Sequence, residues 1–282
     1  MRLTVKKVGV SMMMLATFFW GYMGISSRYL NHISLRTVDI SFIRALSAAI
    51  MLTIYLFFRK RSAFRLPIKG ILFACLYGII CFAIGMSFYS LSVDNIPISV
   101  ATVLMFSNPI WATLFGKIFF GDPISKKKLV IMTLCLIGCM CIIDVFSARG
   151  AELNIIGVLA GILNGMTFSL QIVLPRFVEN KLSKDSLLFY GFWAATICLA
   201  FFVDIGDITS KVANSGRPYF YIAHLLAIGI LCTFVAITLY VNSTKYIGTS
   251  LPSMMSALEP VFASIIAYMV FSEVMKPIQV MG

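Results

Sequence analysis

The sequence predicts an all-α polytopic membrane protein made of two inverted-topology repeats of five helices, the last helix missing or truncated. Three observations predict it. Of 282 residues, 60% are hydrophobic and only 12% are charged, more apolar surface than a soluble globule of this size hides behind a polar skin. The apolar residues fall into nine long runs. A helical hairpin also occurs twice, 151 residues apart: FSNPIWATLFGKIFFGDPIS at 106–125 and ALEPVFASIIAYMVFSEVMK at 257–276.

The nine runs lie near 9–29, 37–58, 70–91, 97–119, 127–146, 154–175, 186–204, 219–241 and 248–271. Each approaches the ~20 residues a helix needs to cross hydrocarbon. Continuous runs of this length exclude a β-barrel. Lys6 and Lys7 before the first run resemble the start of a signal peptide, but Trp20, Gly21 and Tyr22 stand where small residues would be cleaved. A retained first span is therefore expected. The segment at 205–218, with Asp207, Lys211, Asn214, Gly216 and Pro218, reads as a solvated turn.

Basic residues set the orientation. With the N-terminus cytoplasmic, fifteen Lys and Arg fall on the inner side: Arg2, Lys6, Lys7, Arg59, Lys60, Arg61, Arg65, Lys69, Lys126, Lys127, Lys128, Arg176, Lys181, Lys184 and Lys245. Six fall outside: Arg28, Arg36, Arg149, Lys211, Arg217 and Lys276. The net charge of +12 is thus loop charge and not a nucleic-acid footprint. The seven cysteines lie inside apolar runs, and Cys135, Cys139 and Cys141 are not flanked by His or acidic ligands. They read as packing residues, so no metal or cofactor is expected.

The repeat extends beyond the hairpin. At the 151 offset Pro109 meets Pro260, Ala112 meets Ala263, Phe120 meets Phe271, Asp122 meets Glu273, Tyr89 meets Tyr240 and Ser99 meets Ser250. At an offset of 148, Gly9 meets Gly157, Trp20 meets Phe168 and Arg28 meets Arg176. Two repeats follow, 1–148 and 149–282. Five spans is an odd number, so equivalent helices enter the membrane from opposite sides, an arrangement that lets one site face each side in turn. In the second repeat Pro277 opens the segment matching the fifth span, and the tenth span is incomplete, as in a fragment.

At these residues the chain resembles the EamA-type permeases of the drug/metabolite transporter superfamily. The resemblance rests on the Trp-containing FFWGYMGISSRYL (18–30) and on SFYSLSVDNIPISVATVLMFSNP (87–109). It rests most on EPVFASIIAYMVFSEVMKPIQVMG (259–282), a Glu-Pro-Val followed by a second Glu and a Gln-x-x-Gly. Gly121-Asp122 replaces the usual Gly-Glu, and the tenth span is absent. The resemblance implies ten helices around a central cavity, and import or export of small metabolites across the cell membrane by alternating access, in a bacterial cytoplasmic membrane.

Polar groups inside a bilayer are costly and each needs an explanation. Glu259 lies halfway along its span beside Pro260, where the helix loses a backbone donor; its carboxyl is the candidate for binding a proton or a cationic substrate group. Asn108 is its repeat partner, either on the pathway or gluing helices. Arg44, a third of the way into the second span, either faces the cavity toward Glu259 or a substrate carboxylate, or snorkels to the interface. Trp20 and Tyr89 are the aromatic candidates for the cavity wall. Asn164 and Gln171, seven residues apart, share a face of the sixth span with Phe168. His224 reads as an interfacial histidine. Gly157, Gly161 and Gly165 read as internal packing contacts.

The reading is a transporter of amino-acid-like or amphipathic small molecules embedded in the lipid bilayer, with Glu259 as the point of any proton coupling. An inactive or truncated membrane subunit is the alternative. An intramembrane enzyme needs clustered catalytic groups, and the chain has two histidines, His32 and His224, both near membrane faces.

Overall fold

The computed structural model describes residues 2–59, 61–143, 154–272 and 276–281, and among these every regular element is helical. In chain order they are α1 (Lys6–Asn31), α2 (Thr37–Arg59), α3 (Ile68–Asn95), α4 (Ile98–Phe120), α5 (Lys126–Ile142), α6 (Ile155–Val178), α7 (Lys184–Ala200), α8 (Ile205–Ala213), α9 (Pro218–Ile247), α10 (Ser250–Phe271) and α11 (Pro277–Met281). Seven of them, α1 to α4, α6, α9 and α10, are long and apolar enough to cross a membrane; α7 with α8 makes an eighth if a bent pair counts as one span. The sequence led us to expect nine. Helix α5 has 17 described residues, and residues 144–146 of its expected span lie outside the described ones.

The expected seventh span does not run straight to residue 204. Helix α7 ends at Ala200 and the chain bends by 87° into α8. Asp204 causes the restart, because its carboxylate accepts from the backbone N–H of Gly206 (2.8 Å) and Asp207 (3.2 Å), a capping contact that opens a new helix. Arg36 holds the bend through a 3.3 Å bond to the Phe202 carbonyl, and its guanidinium is itself fixed on buried Asp39 at 2.7 Å. Segment 205–213 is therefore not a solvated turn: Ile208 and Val212 pack into a small apolar cluster with Leu30, Leu35 and Leu225.

Two local departures from α-geometry recur at the repeat offset. Helices α3 and α9 each contain a π turn, Ile79–Ile84 and Ile230–Val235. Each turn directly follows a glycine at a tight helix crossing. A methyl on Gly78 would lie inside the backbone of Gly191 on α7, and one on Gly229 would lie inside the Ser47 side chain on α2. Helices α4 and α10 are each interrupted before Asn108 and before Glu259, and each ends on a left-handed residue, Gly121 (φ 68°) and Ser272 (φ 54°). The prolines at 109 and 260 explain the interruptions, since each lacks the N–H that would continue the ladder.

The glycines at 157, 161 and 165 do pack internally: Cβ atoms there would meet Ile96 between α3 and α4, and Leu104 and Ser107 of α4. His224 is buried against neighbouring helices. Its Nδ1 lies 2.9 Å from Ser26 Oγ, and it sits among Tyr22, Tyr29 and Phe220. Large apolar side chains such as Phe58, Leu72, Ile118, Leu134 and Met269 point outward, as a lipid solvent allows.

Candidate functional site

A cavity of about 640 Å³ lies between α1, α2, α3, α4, α6 and α10, with single lining residues from α5, α9 and α11. This is the size range of small-molecule sites. Six of the seven residues singled out in the sequence line it: Trp20, Arg44, Tyr89, Asn164, Gln171 and Glu259. They come from five helices, so only the fold brings them together. Ser41, Ser99, Thr102 and Ser264 add hydroxyls, while Met23, Met86, Met105, Ile237 and Phe168 supply apolar wall.

Asn108 is not on the wall. It is wholly buried, and its Nδ2 donates to Ser256 Oγ at 3.3 Å and to Met105 O at 3.4 Å. It therefore pins the interruption in α4 to the one in α10. Glu259 begins the second segment of α10, where the exposed N–H groups and the helix dipole favour a negative charge.

Arg44 reaches inward, not toward the interface. Its Nε donates to Thr233 Oγ1 at 3.0 Å, and Thr233 in turn donates to the carbonyl of Ile228, five residues back, at 2.9 Å. That carbonyl accepts Thr233 in the π turn of α9. Among the described residues, no carboxylate lies within ion-pair distance of Arg44. The π turn of α3 is braced from the other side. Asn164 Nδ2 donates to Gly85 O at 2.8 Å, Gln171 Nε2 reaches Cys81 O at 3.5 Å, and Tyr77 donates to the Gln171 carbonyl at 3.0 Å. The side-chain oxygens of Asn164 and Gln171 are buried without a partner.

The floor of the cavity is aromatic. Trp20 packs edge-on against Phe168 (centroids 5.6 Å) and Tyr240 (5.2 Å), and Phe168 stacks on Tyr240 (5.7 Å). The Trp20–Phe168 contact joins residues that align at the 148 offset.

Sequence reading missed Thr233, Thr102 and Ser264. Thr102 had a signal, since it follows Ser99 by three residues and so shares its helix face. Thr233 had none, because its role depends on a π turn. Replacing Thr233 by Val is expected to lower the stability of the purified protein by about 1.5–3 kcal/mol, the scale of one lost bond to a charged group, with Thr233→Ser near wild type. An unchanged unfolding temperature in the Val variant would remove Thr233 as the anchor of Arg44.

Comparison with known proteins agrees with this architecture. The chain matches the EamA-like transporter family over residues 7–144 and 155–282. It is 23% identical over 196 residues, 69% of this chain and 66% of the relative's length, to an uncharacterized transporter of Archaeoglobus fulgidus. It is 21% identical to an uncharacterized transporter of Bacillus subtilis, over 80% of this chain and 72% of the relative. A solved crystal structure superposes with a TM-score of 0.74 over 99% of this chain and 92% of its own, at 14% identity, a likeness of fold alone. The chain belongs to the EamA-like transporter family and is a multi-pass membrane transporter.

Proposed function

We propose that this protein carries amino-acid-like, zwitterionic small molecules across the cell membrane by alternating access, with its N-terminus in the cytoplasm. One observation carries the substrate class. A guanidinium (Arg44) and a carboxylate (Glu259) face the same 640 Å³ cavity without an ion pair between them. Opposite charges kept apart in a low-dielectric space gain most from a ligand that carries a carboxylate for one and an ammonium for the other. Trp20, Phe168 and the methionines offer apolar surface for the rest of such a molecule.

The mechanism we infer uses two inverted repeats, 1–148 and 149–282, with α5 and α7 also crossing the membrane. The π turns, the paired glycine crossings and the interrupted α4 and α10, each recurring 151 residues apart, support that reading. Interrupted helices at the midplane are a usual source of substrate contacts in repeat transporters. Glu259 is the site at which a proton competes with the substrate ammonium.

Counterflow in proteoliposomes tests this. A neutral amino acid with an apolar side chain should exchange at least about tenfold faster than its decarboxylated amine or its deaminated acid, because each analogue leaves one charge in the cavity unpaired. Equal exchange of all three, or exchange of none, would refute the zwitterion reading.

A further inference from the structure

At the end of the molecule that carries Lys126–Lys128, the end of α4 is tied to the end of α6. Arg176 grips Asp122 with two bonds, Nη1 to Oδ2 at 2.6 Å and Nη2 to Oδ1 at 3.1 Å. The same guanidinium lies over the Phe120 ring, 3.9 Å from its centroid. The left-handed Gly121 turns the chain back, and Asp122 folds so close to Gly116 that a Cβ there would stand 2.9 Å from its Oδ2. Lys184 adds a second tie nearby, to Glu179 at 3.3 Å and to Thr244 Oγ1 at 2.5 Å.

Asp122 and Arg176 also line a second cavity of about 450 Å³, with Glu179, Thr244 and Ser250. Among the described residues, none lines both cavities. Trp20 and Phe168 line the first cavity and pack on Tyr240, and none of these three rings lines the second. The first cavity instead extends to Arg28, Asn31 and Ser99 at the opposite end. There Arg28, at the end of α1, lies 5.4 Å from the centroid of Phe271, at the end of α10. Arg28 aligns with Arg176 at the 148 offset, and Phe271 with Phe120 at the 151 offset.

We propose that Arg176–Phe120–Asp122 and Arg28–Phe271 are matched clasps at the two ends of one pathway, and that the second cavity is the cytoplasmic vestibule of that pathway. The proposal rests on the alternating-access reading above. Each clasp joins the end of a first-position helix in one repeat (α1 or α6) to the end of the interrupted helix in the other (α10 or α4). Opening an end therefore requires its arginine to leave its aromatic ring. At the cytoplasmic end Arg176 must leave the two-bond Asp122 carboxylate, the geometry that makes Arg–carboxylate pairs directional.

Asp122 remains a reliable anchor across physiological pH. The hydrogen bonds from Arg176 hold its carboxyl below the usual aspartate range, so the clasp is charged above about pH 4 and lost only as pH falls through the depressed value. Proton coupling, in this arrangement, does not run through the clasp.

The test needs no substrate. Added Ser264→Cys and, separately, Ala267→Cys, both on the first cavity, report access to a membrane-impermeant maleimide in right-side-out and inside-out vesicles, quantified per peptide by mass spectrometry. Asp122→Asn and Arg176→Gln should each raise labelling from the cytoplasmic side at least about fivefold and lower it from outside. Arg28→Gln should do the reverse. Asp122→Glu should keep the wild-type pattern, and the exchange Asp122→Arg with Arg176→Asp should restore it, which separates a lost clasp from a lost fold. Labelling that responds to the side of addition but ignores Asp122, Arg176 and Arg28 overturns the clasps alone. Reporters that label from neither side in any variant overturn the alternating-access reading and the clasps with it.

Discussion

Glu259→Gln should lower zwitterion transport by about a hundredfold and at the same time make the deaminated acid the better substrate. The carboxylate stands in a cavity whose facing cation, Arg44, is not its ion-pair partner, so its charge is available to a ligand. A charge-assisted hydrogen bond in such surroundings is worth about 1.5–3 kcal/mol, and a charge left unpaired on the partner costs more. The amide keeps the shape of the side chain and removes only the charge. The loss should therefore appear for ligands with an ammonium and not for those lacking one. Arg44→Gln should show the mirror result: a similar fall for the zwitterion, with the decarboxylated amine now preferred. Exchange assays on the two variants against the three ligands settle it. Equal losses for all three ligands in both variants would mean that the residues support the fold and do not read the substrate. Dependence on a proton gradient should vanish in Glu259→Gln and survive in Arg44→Gln; a gradient dependence that persists without the carboxyl removes Glu259 from coupling.

The second large effect is on stability. Gly78→Ala should prevent formation of a folded protein or cost more than about 3 kcal/mol, beyond ordinary overpacking. The obstruction is the backbone of Gly191, and no neighbouring side chain can be trimmed to relieve it. Gly229→Ala, at the matching crossing of α9 with α2, meets the side chain of Ser47 instead. Its cost should be about 1–3 kcal/mol, and Ser47→Gly should recover most of it. Thermal unfolding of the purified variants in one detergent, read as a double-mutant cycle for 47 and 229, measures both. Should Gly78→Ala unfold at the wild-type temperature, the close approach of α3 and α7 is not what holds these helices together. Each glycine directly precedes a π turn, so each crossing sits beside a local departure from α-geometry. Such turns are often found at functional sites.

Several features were legible in the chain alone. Long apolar runs exist because lipid leaves the backbone no partner but itself, and that constraint writes helices into sequence more plainly than any propensity. Family membership was legible because Glu259-Pro260 and the hairpin around it keep their spacing. Charge inside a span is costly enough to mark itself, which is why Arg44 and Glu259 could be named from composition and depth.

Other features were not. Asn108 aligns with Glu259, yet it is buried against Ser256, since an offset in sequence says nothing of which way an interrupted helix turns its first residue. The 87° bend after Ala200 escaped because Asp204 reads equally well as loop or as cap until the next helix is seen to start there. Arg176 counted as inner-loop charge and repeat partner of Arg28, and Asp122 as a variant residue of a motif and repeat partner of Glu273, although together they form a two-bond ion pair at that end.

The sequence by itself determined that this protein lives in lipid, that its spans are helical, to which family it belongs, and which intramembrane charges must be explained. Only the tertiary structure decided that five helices bring Trp20, Arg44, Tyr89, Asn164, Gln171 and Glu259 to one cavity, and that Thr233 orients Arg44. Hydrophobic patterning records how much of a helix is apolar. Which face meets which neighbour depends on crossing points such as Gly78 against Gly191 and Gly229 against Ser47, where two distant stretches of chain must fit the same few ångströms.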